Sequence, residues 1–171
     1  KGEVRDKGVV TTFEGDFARV YFKNSGKYEI LRSEIRENAV FVQGDKKLES
    51  DYIEIDSNRR LVFSKESTKL TIVDDVNGET IIKSAVAEVD IENDIATLIG
   101  NVYIENRNSE YGLTTVKADR GIIRQKTGTV ELIGHVEIEN EESIVQADRG
   151  IYNMETKKIK ASGNVYVDYK K

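Results

Sequence analysis

Apolar and polar residues alternate with period two along most of this chain. In "TVELIGHVEIE", Val130, Leu132, Gly134, Val136 and Ile138 share one parity, and Glu131, His135, Glu137 and Glu139 the other. In "KIKASGNVYVD", Ile159, Ala161, Gly163, Val165 and Val167 alternate with mostly polar neighbours. In "ATLIGNVYIE" the matching set is Ala96, Leu98, Gly100, Val102 and Ile104. A period of two is the signature of a strand with one apolar face. "FARVYF", "NAVFVQG", "DYIEID", "RLVFS" and "KLTIVDD" predict further strands upstream. Turn-forming residues separate them at Asn24-Ser25-Gly26, Ser57-Asn58, Asn77-Gly78, Asn93-Asp94, Lys126-Thr127-Gly128 and Glu155-Thr156. "YEILRSEIRENAV" carries Ile30, Leu31, Ile35 and Val40 at spacings that also suit a short helix; the strand reading is preferred.

The pattern repeats. "VKADRGIIRQKTGTVELIGHVEI" is followed by "VQADRGIYNMETKKIKASGNVYV", so Ala118 recurs as Ala147 and Gly134 as Gly163, 29 positions on. Gly100 precedes Gly134 by 34, the excess fitting an insertion in "NRNSEYGLT". "SAVAEVDIENDIATLIGNVYI" is a shorter copy, and "LESDYIEIDSNRRLVFSKESTKLTIV" matches in outline without the glycine. Each unit reads strand, turn, strand, bend, strand. Such units bury a continuous interior only by stacking, and with no linker between them residues 1–171 form a single domain.

Composition narrows the function. Against 31 acidic residues stand 26 Lys and Arg, a net charge of −5, which disfavours nucleic acid as a partner. With no Cys there is neither disulfide nor thiolate metal site, and the absence of Pro permits long uninterrupted ladders and edges left open to partners. No run approaches the roughly 18 apolar residues of a membrane helix.

Candidate chemistry is sparse. Asp119-Arg120 and Asp148-Arg149 recur in equivalent settings, whereas acid–base catalysis needs carboxyls in unlike environments, so they read as surface landmarks near a strand start. His135, the only His, takes the place of Asn101 and Asn164 and has no second His with which to hold zinc. "DDVNGE" and "ENEE" lack the spacing of a calcium loop and read as a hairpin tip and a solvated run. The glycines Gly100, Gly134 and Gly163 mark bends, or make room for a ligand. Neither an enzyme nor a cofactor or metal site is expected.

The phrases "ADRGIIR…TGTVELIGHVEI" and "ADRGIYN…TKKIKASGNVYV" resemble the OstA-like lipopolysaccharide-transport family, clearly over the last 90 or so residues and faintly before them. The resemblance implies an all-β, elongated, taco-like antiparallel β-jelly roll, open along one side, in the periplasm. It also implies lipopolysaccharide as cargo, its acyl chains held inside. Other jelly-roll transport proteins would be partners through edge strands, and the chain a head-to-tail homo-oligomer bridging two membranes. A soluble bridging component is favoured over a membrane-anchored one. Strand parity then assigns the apolar lining to Val20, Phe22, Val40, Val42, Ile53, Ile55, Phe63, Leu70, Ile72, Val102, Ile104, Leu132, Val136, Ile138, Val165 and Val167. Parity alone does not say whether those residues flank a slot or fill a closed sandwich. The terminal stretches "VVTTFEGDFARVYF" and "SGNVYVDYKK" are expected at opposite ends, their ladders free for β-augmentation.

Overall fold

The structure is a computed structural model and describes all residues except 7–8, 25–27, 75–77, 109–111, 157 and 171. The regular secondary structure of the described residues is all β apart from one 3-10 turn, Gln125–Thr127. The strands are β1 (Gly2–Asp6), β2 (Val9–Glu14), β3 (Phe17–Asn24), β4 (Tyr28–Gln43), β5 (Lys46–Asp56), β6 (Leu61–Asp74) and β7 (Gly78–Asp90). They continue as β8 (Ile95–Asn108), β9 (Gly112–Arg124), β10 (Thr129–Glu139), β11 (Ser143–Asn153), β12 (Ile159–Ser162) and β13 (Tyr166–Tyr169). The segment that could have been helical is β4, a 16-residue strand.

Every pairing is antiparallel, in the order β1-β2-β4 and then consecutively to β12. At one end β3 pairs the first half of β4 while β2 pairs its second half. At the other end β12 and β13 divide β11 in the same way. The terminal stretches therefore do occupy opposite ends, and β1 never meets β12, so the sheet stays open. This is the jelly roll that the resemblance implied.

A line of kinks folds the sheet into two halves. Two successive residues take left-handed backbone at Glu37-Asn38, Glu66-Ser67, Gly100-Asn101, Gly134-His135 and Gly163-Asn164. Each of the first four lies where the pairing register jumps, as between Arg36/Ala39 and Ile99/Val102. From Glu37 to Gly163 these sites are spaced by 29, 34, 34 and 29 positions, so the repeat seen in the sequence is the repeat of the fold. The glycines are bends. A Cβ on Gly134 would stand 2.2 Å from Asp119 Oδ2, and one on Gly163 2.5 Å from Asp148 Oδ2. His135 Nδ1 lies 2.8 Å from Asp119 Oδ2, and Asn164 Nδ2 donates to Asp148 Oδ2 at 2.9 Å. The Asp-Arg pairs thus sit in mid-strand beside the kinks, not near strand starts as the sequence suggested. The reason is that the long strands run straight through the bend, which period-two counting does not show.

Turns at the far ends of the strands are held by Asx side chains. Asp56, Asp90, Asn140 and Asn153 each accept from two backbone amides just downstream. "ENEE" is one of these turns, built on Asn140. The expected turn tips at Ser25-Gly26 and Asn77, and the insertion at 109–111, lie outside the described residues.

Candidate functional site

The inner faces of the two half-sheets can be followed as rungs of directly paired residues. On one half the rung nearest the kink runs Ala18, Ile35, Ile53, Ser64, Ala87, Leu98, Gly121, Leu132, Gly150, Ala161. The next runs Val20, Ser33, Ile55, Val62, Val89, Ala96, Ile123, Val130, Tyr152, Ile159. On the facing half one rung is apolar throughout: Phe13, Phe41, Leu48, Leu70, Ile82, Ile104, Val116, Ile138, Val145, Val167. Ten strands at about 4.8 Å make that rung roughly 43 Å long.

Small residues let the halves close on each other at the fold line. Ser84 and Ala87, Ala118 and Gly121, and Ala147 and Gly150 face inwards there. A side chain on Gly150 would meet Val136 Cγ1 at 3.2 Å and Ile138 Cδ1 at 3.7 Å on the opposite half. The Ala-Asp-Arg-Gly phrase is thereby explained in three of its four letters: Ala and Gly for close approach, Asp to hold the kink.

Through the middle the halves meet. Ile53 and Val130 have no exposed surface, and Leu98, Val116, Leu132 and Ile138 are 1% exposed. Ile91 and Met154, from turns at the free edge, pack onto this interior. Lys46 Nζ donates to Gln125 Oε1 at 2.9 Å, joining turns of opposite halves. The two ends are more open: Phe17, Phe22 and Ile30 at one, and Val165, Val167 and Tyr166 at the other, are all exposed.

Of the residues assigned by parity, Ile53, Val102, Ile104, Leu132, Val136 and Ile138 are buried inside. Val20, Ile55, Leu70 and Ile72 are half-buried on the inner parity. Phe22, Val165 and Val167 are at the exposed ends. Val40, Val42 and Phe63 must be corrected: they point outwards. Val40 and Val42 pair with Glu49 and Lys47, while Ala39 and Phe41 face in. Phe63 stacks edge-on to Tyr52, which also carries the Arg36 guanidinium and the Lys65 ammonium over its ring. Both parities of "AVFV" and "LVFS" are apolar, so alternation could not choose between them. In "LVFS" the inner parity even ends on a polar residue, Ser64, which hydrogen-bonds Thr68 in the interior.

Parity also missed the polar residues inside. Thr80, Asn106 and Thr114 are buried next to the apolar rung on its free-edge side, and Asn106 Nδ2 donates to Thr80 Oγ1 at 2.8 Å. Tyr152, 1% exposed, faces them from the opposite half. Nothing but its apolar parity in "GIYN" could have flagged it. On the outer face Glu34 is buried among Tyr21, Arg32 and Arg36. Burial pushes its carboxyl up, but the Tyr21 hydroxyl and the two guanidiniums outweigh that and hold it below the ordinary range. Among the described residues no group of three His, Cys, Asp or Glu could hold a metal ion, and no helix is long and apolar enough to cross a membrane.

Residues 108–171, from the last residue of β8 to the C-terminus, match the family model for lipopolysaccharide assembly, LptC-related. Both Ala-Asp-Arg-Gly phrases lie within the matched segment, in agreement with the resemblance they suggested. Among solved structures, the chain is similar to LptH, the LptA homologous periplasmic component of the conserved lipopolysaccharide transport device from Pseudomonas aeruginosa. The likeness covers 94% of this chain and 95% of that one, at 13% identity and a TM-score of 0.48. No curated protein matches.

Proposed function

We propose that this chain is a periplasmic lipopolysaccharide-transport module that shelters acyl chains between its inner faces and pairs end to end with like proteins. The observation that carries the reading is the apolar rung from Phe13 to Val167, unbroken across ten strands and exposed at its last member, within a chain whose C-terminal segment matches the LptC-related family model. Each methylene buried contributes about 0.8 kcal/mol. Because the inner faces already touch, an entering chain exchanges one set of apolar contacts for another. The net gain is then smaller than full burial from water, which suits a carrier that must release its cargo. No step of this reading is catalytic.

The edge strands supply the second half of the proposal. β3 and β12 border one half-sheet, and β1 and β13 the other, each with strand pairing on one side only among the described residues. Pairing one end with the opposite end of a second copy is heterologous and grows a filament. On this reading the chain would use the same edges whether it is a soluble bridge or an LptC-like membrane-anchored component.

A ligand-free structural β-solenoid is the second reading, favoured by the fully buried middle of the interior. A fluorescent long-chain fatty acid, titrated with and without lipopolysaccharide, separates the two. Saturable binding displaced by lipopolysaccharide is expected; absence of binding leaves the solenoid.

A further inference from the structure

Polar groups are buried at two depths of the interior. At the fold line Ser64, Thr68 and Ser84 are satisfied by hydrogen bonds, Thr68 to Ser64 and Ser84 to the Val86 carbonyl; towards the free edge of the half that carries the apolar rung stand Thr80, Asn106 and Thr114. Opposite stands Tyr152, among the largest fully buried side chains, whose hydroxyl has no hydrogen-bond partner among the described residues. Burial raises its pKa, and the Thr114 hydroxyl is near enough to draw it partly back without completing a hydrogen bond. An unpaired buried hydroxyl costs stability, and replacing it by an apolar group of the same shape is neutral or favourable. Packing gives no reason for Tyr rather than Phe at this position.

Tyr152 is also well placed to meet a ligand. It lies on β11, and only the half-buried Ile159 of β12 separates it from the open C-terminal end of its half-sheet. We infer that the Tyr152 hydroxyl, with Thr114 beside it, is a recognition point for the carbonyl of an ester- or amide-linked acyl chain. The hydrocarbon lies along the apolar rung, and the Tyr152 O–H donates to the carbonyl where chain meets headgroup. This rests on the lipid-carrying reading and adds that the site distinguishes acyl lipids from purely alkyl ones.

The test compares a diacyl phosphatidylglycerol with its dialkyl ether analogue, which lacks both carbonyls. Each displaces a fluorescent hydrocarbon probe from the wild-type protein and from Tyr152→Phe. The wild type should prefer the ester lipid about fivefold, the range of one neutral hydrogen bond. Tyr152→Phe should bind both lipids equally, at the ether level, with an unfolding temperature unchanged or raised. Equal binding of both lipids by the wild type, or a preference that survives in Tyr152→Phe, overturns the inference alone. A marked drop in unfolding temperature also overturns it, by showing that the hydroxyl is structural. Capture of neither lipid overturns the carrier reading as well.

Discussion

His135 and Asp119 are joined across a strand kink, Nδ1 to Oδ2 at 2.8 Å, in a place where the next unit joins Asn164 to Asp148. The hydrogen bond to Asp119, and then its charge, raise the His135 pKa above the ordinary value. A raised folded pKa means stability that is fully present below the unfolded value of about 6.5 and lost as pH rises through the folded one. Wild type should therefore lose thermal stability across that window, and His135→Asn, which copies the neighbouring unit, should lose this component of the pH dependence. Melting curves from pH 5.5 to about 8.5 bracket the unfolded value and check this. Parallel profiles for the two proteins would contradict it.

The kink glycines should differ in their response to alanine. All three have positive φ, at 78° for Gly100, 78° for Gly134 and 72° for Gly163, so each substitution carries a left-handed penalty of about 1–2 kcal/mol. At Gly134 and Gly163 the new methyl also collides with the aspartate that holds the bend, whereas at Gly100 it meets only Ala85 Cβ, at 3.1 Å. Urea denaturation should rank Gly134→Ala and Gly163→Ala as more damaging than Gly100→Ala. Asp119→Ala should recover part of the loss at Gly134.

Interior substitutions should separate the buried middle from the open end. Leu132→Ala, at a site 1% exposed, should cost about 2–5 kcal/mol. Val136→Asp, at 2% exposure, should unfold the protein whatever its function, since it buries a charge without a partner. Val167→Asp, at 42%, should leave the fold intact and, on the proposed function, weaken both lipid capture and end-to-end association. Circular dichroism reads the fold, fluorescent fatty-acid binding the capture, and light scattering against concentration the association. Association unaffected by Val167→Asp would remove β13 from the contact.

Tyr52 offers a spectroscopic check of the outer face. Burial, and then the hydrogen bond to Glu54, push its pKa up to about 12. Folding favours the neutral phenol, so this stabilising contribution holds below about pH 10 and disappears between there and pH 12. In an ultraviolet titration, Tyr52→Phe should remove a phenol that ionises late, near pH 12. Loss of an early-titrating phenol instead would refute the assignment.

Fold class, unit length and the order of the ends were legible because they rest on alternation and on a repeated phrase, both of which survive in a chain of hairpins. Gly134 could be read as a bend, and it is one. Its equivalents Glu37 and Glu66 could not, because neighbouring units impose left-handed backbone there on residues that do not favour it. Inner and outer faces were legible where one parity is polar, as in β10, and failed at Val40, Val42 and Phe63, where both are apolar. Tyr152 was hidden for a related reason. Parity places a side chain on a face and does not reveal what its far end meets.

The column of kinks has a consequence for length. Each hairpin presents its successor with the same cross-section, so a pair of strands could be gained or lost in evolution between β5 and β10 without redesigning either terminus. At about 4.8 Å per strand, each such step would alter the span by roughly 10 Å. The length of the sheet is therefore adjustable in fixed increments, independently of the strands at its two ends.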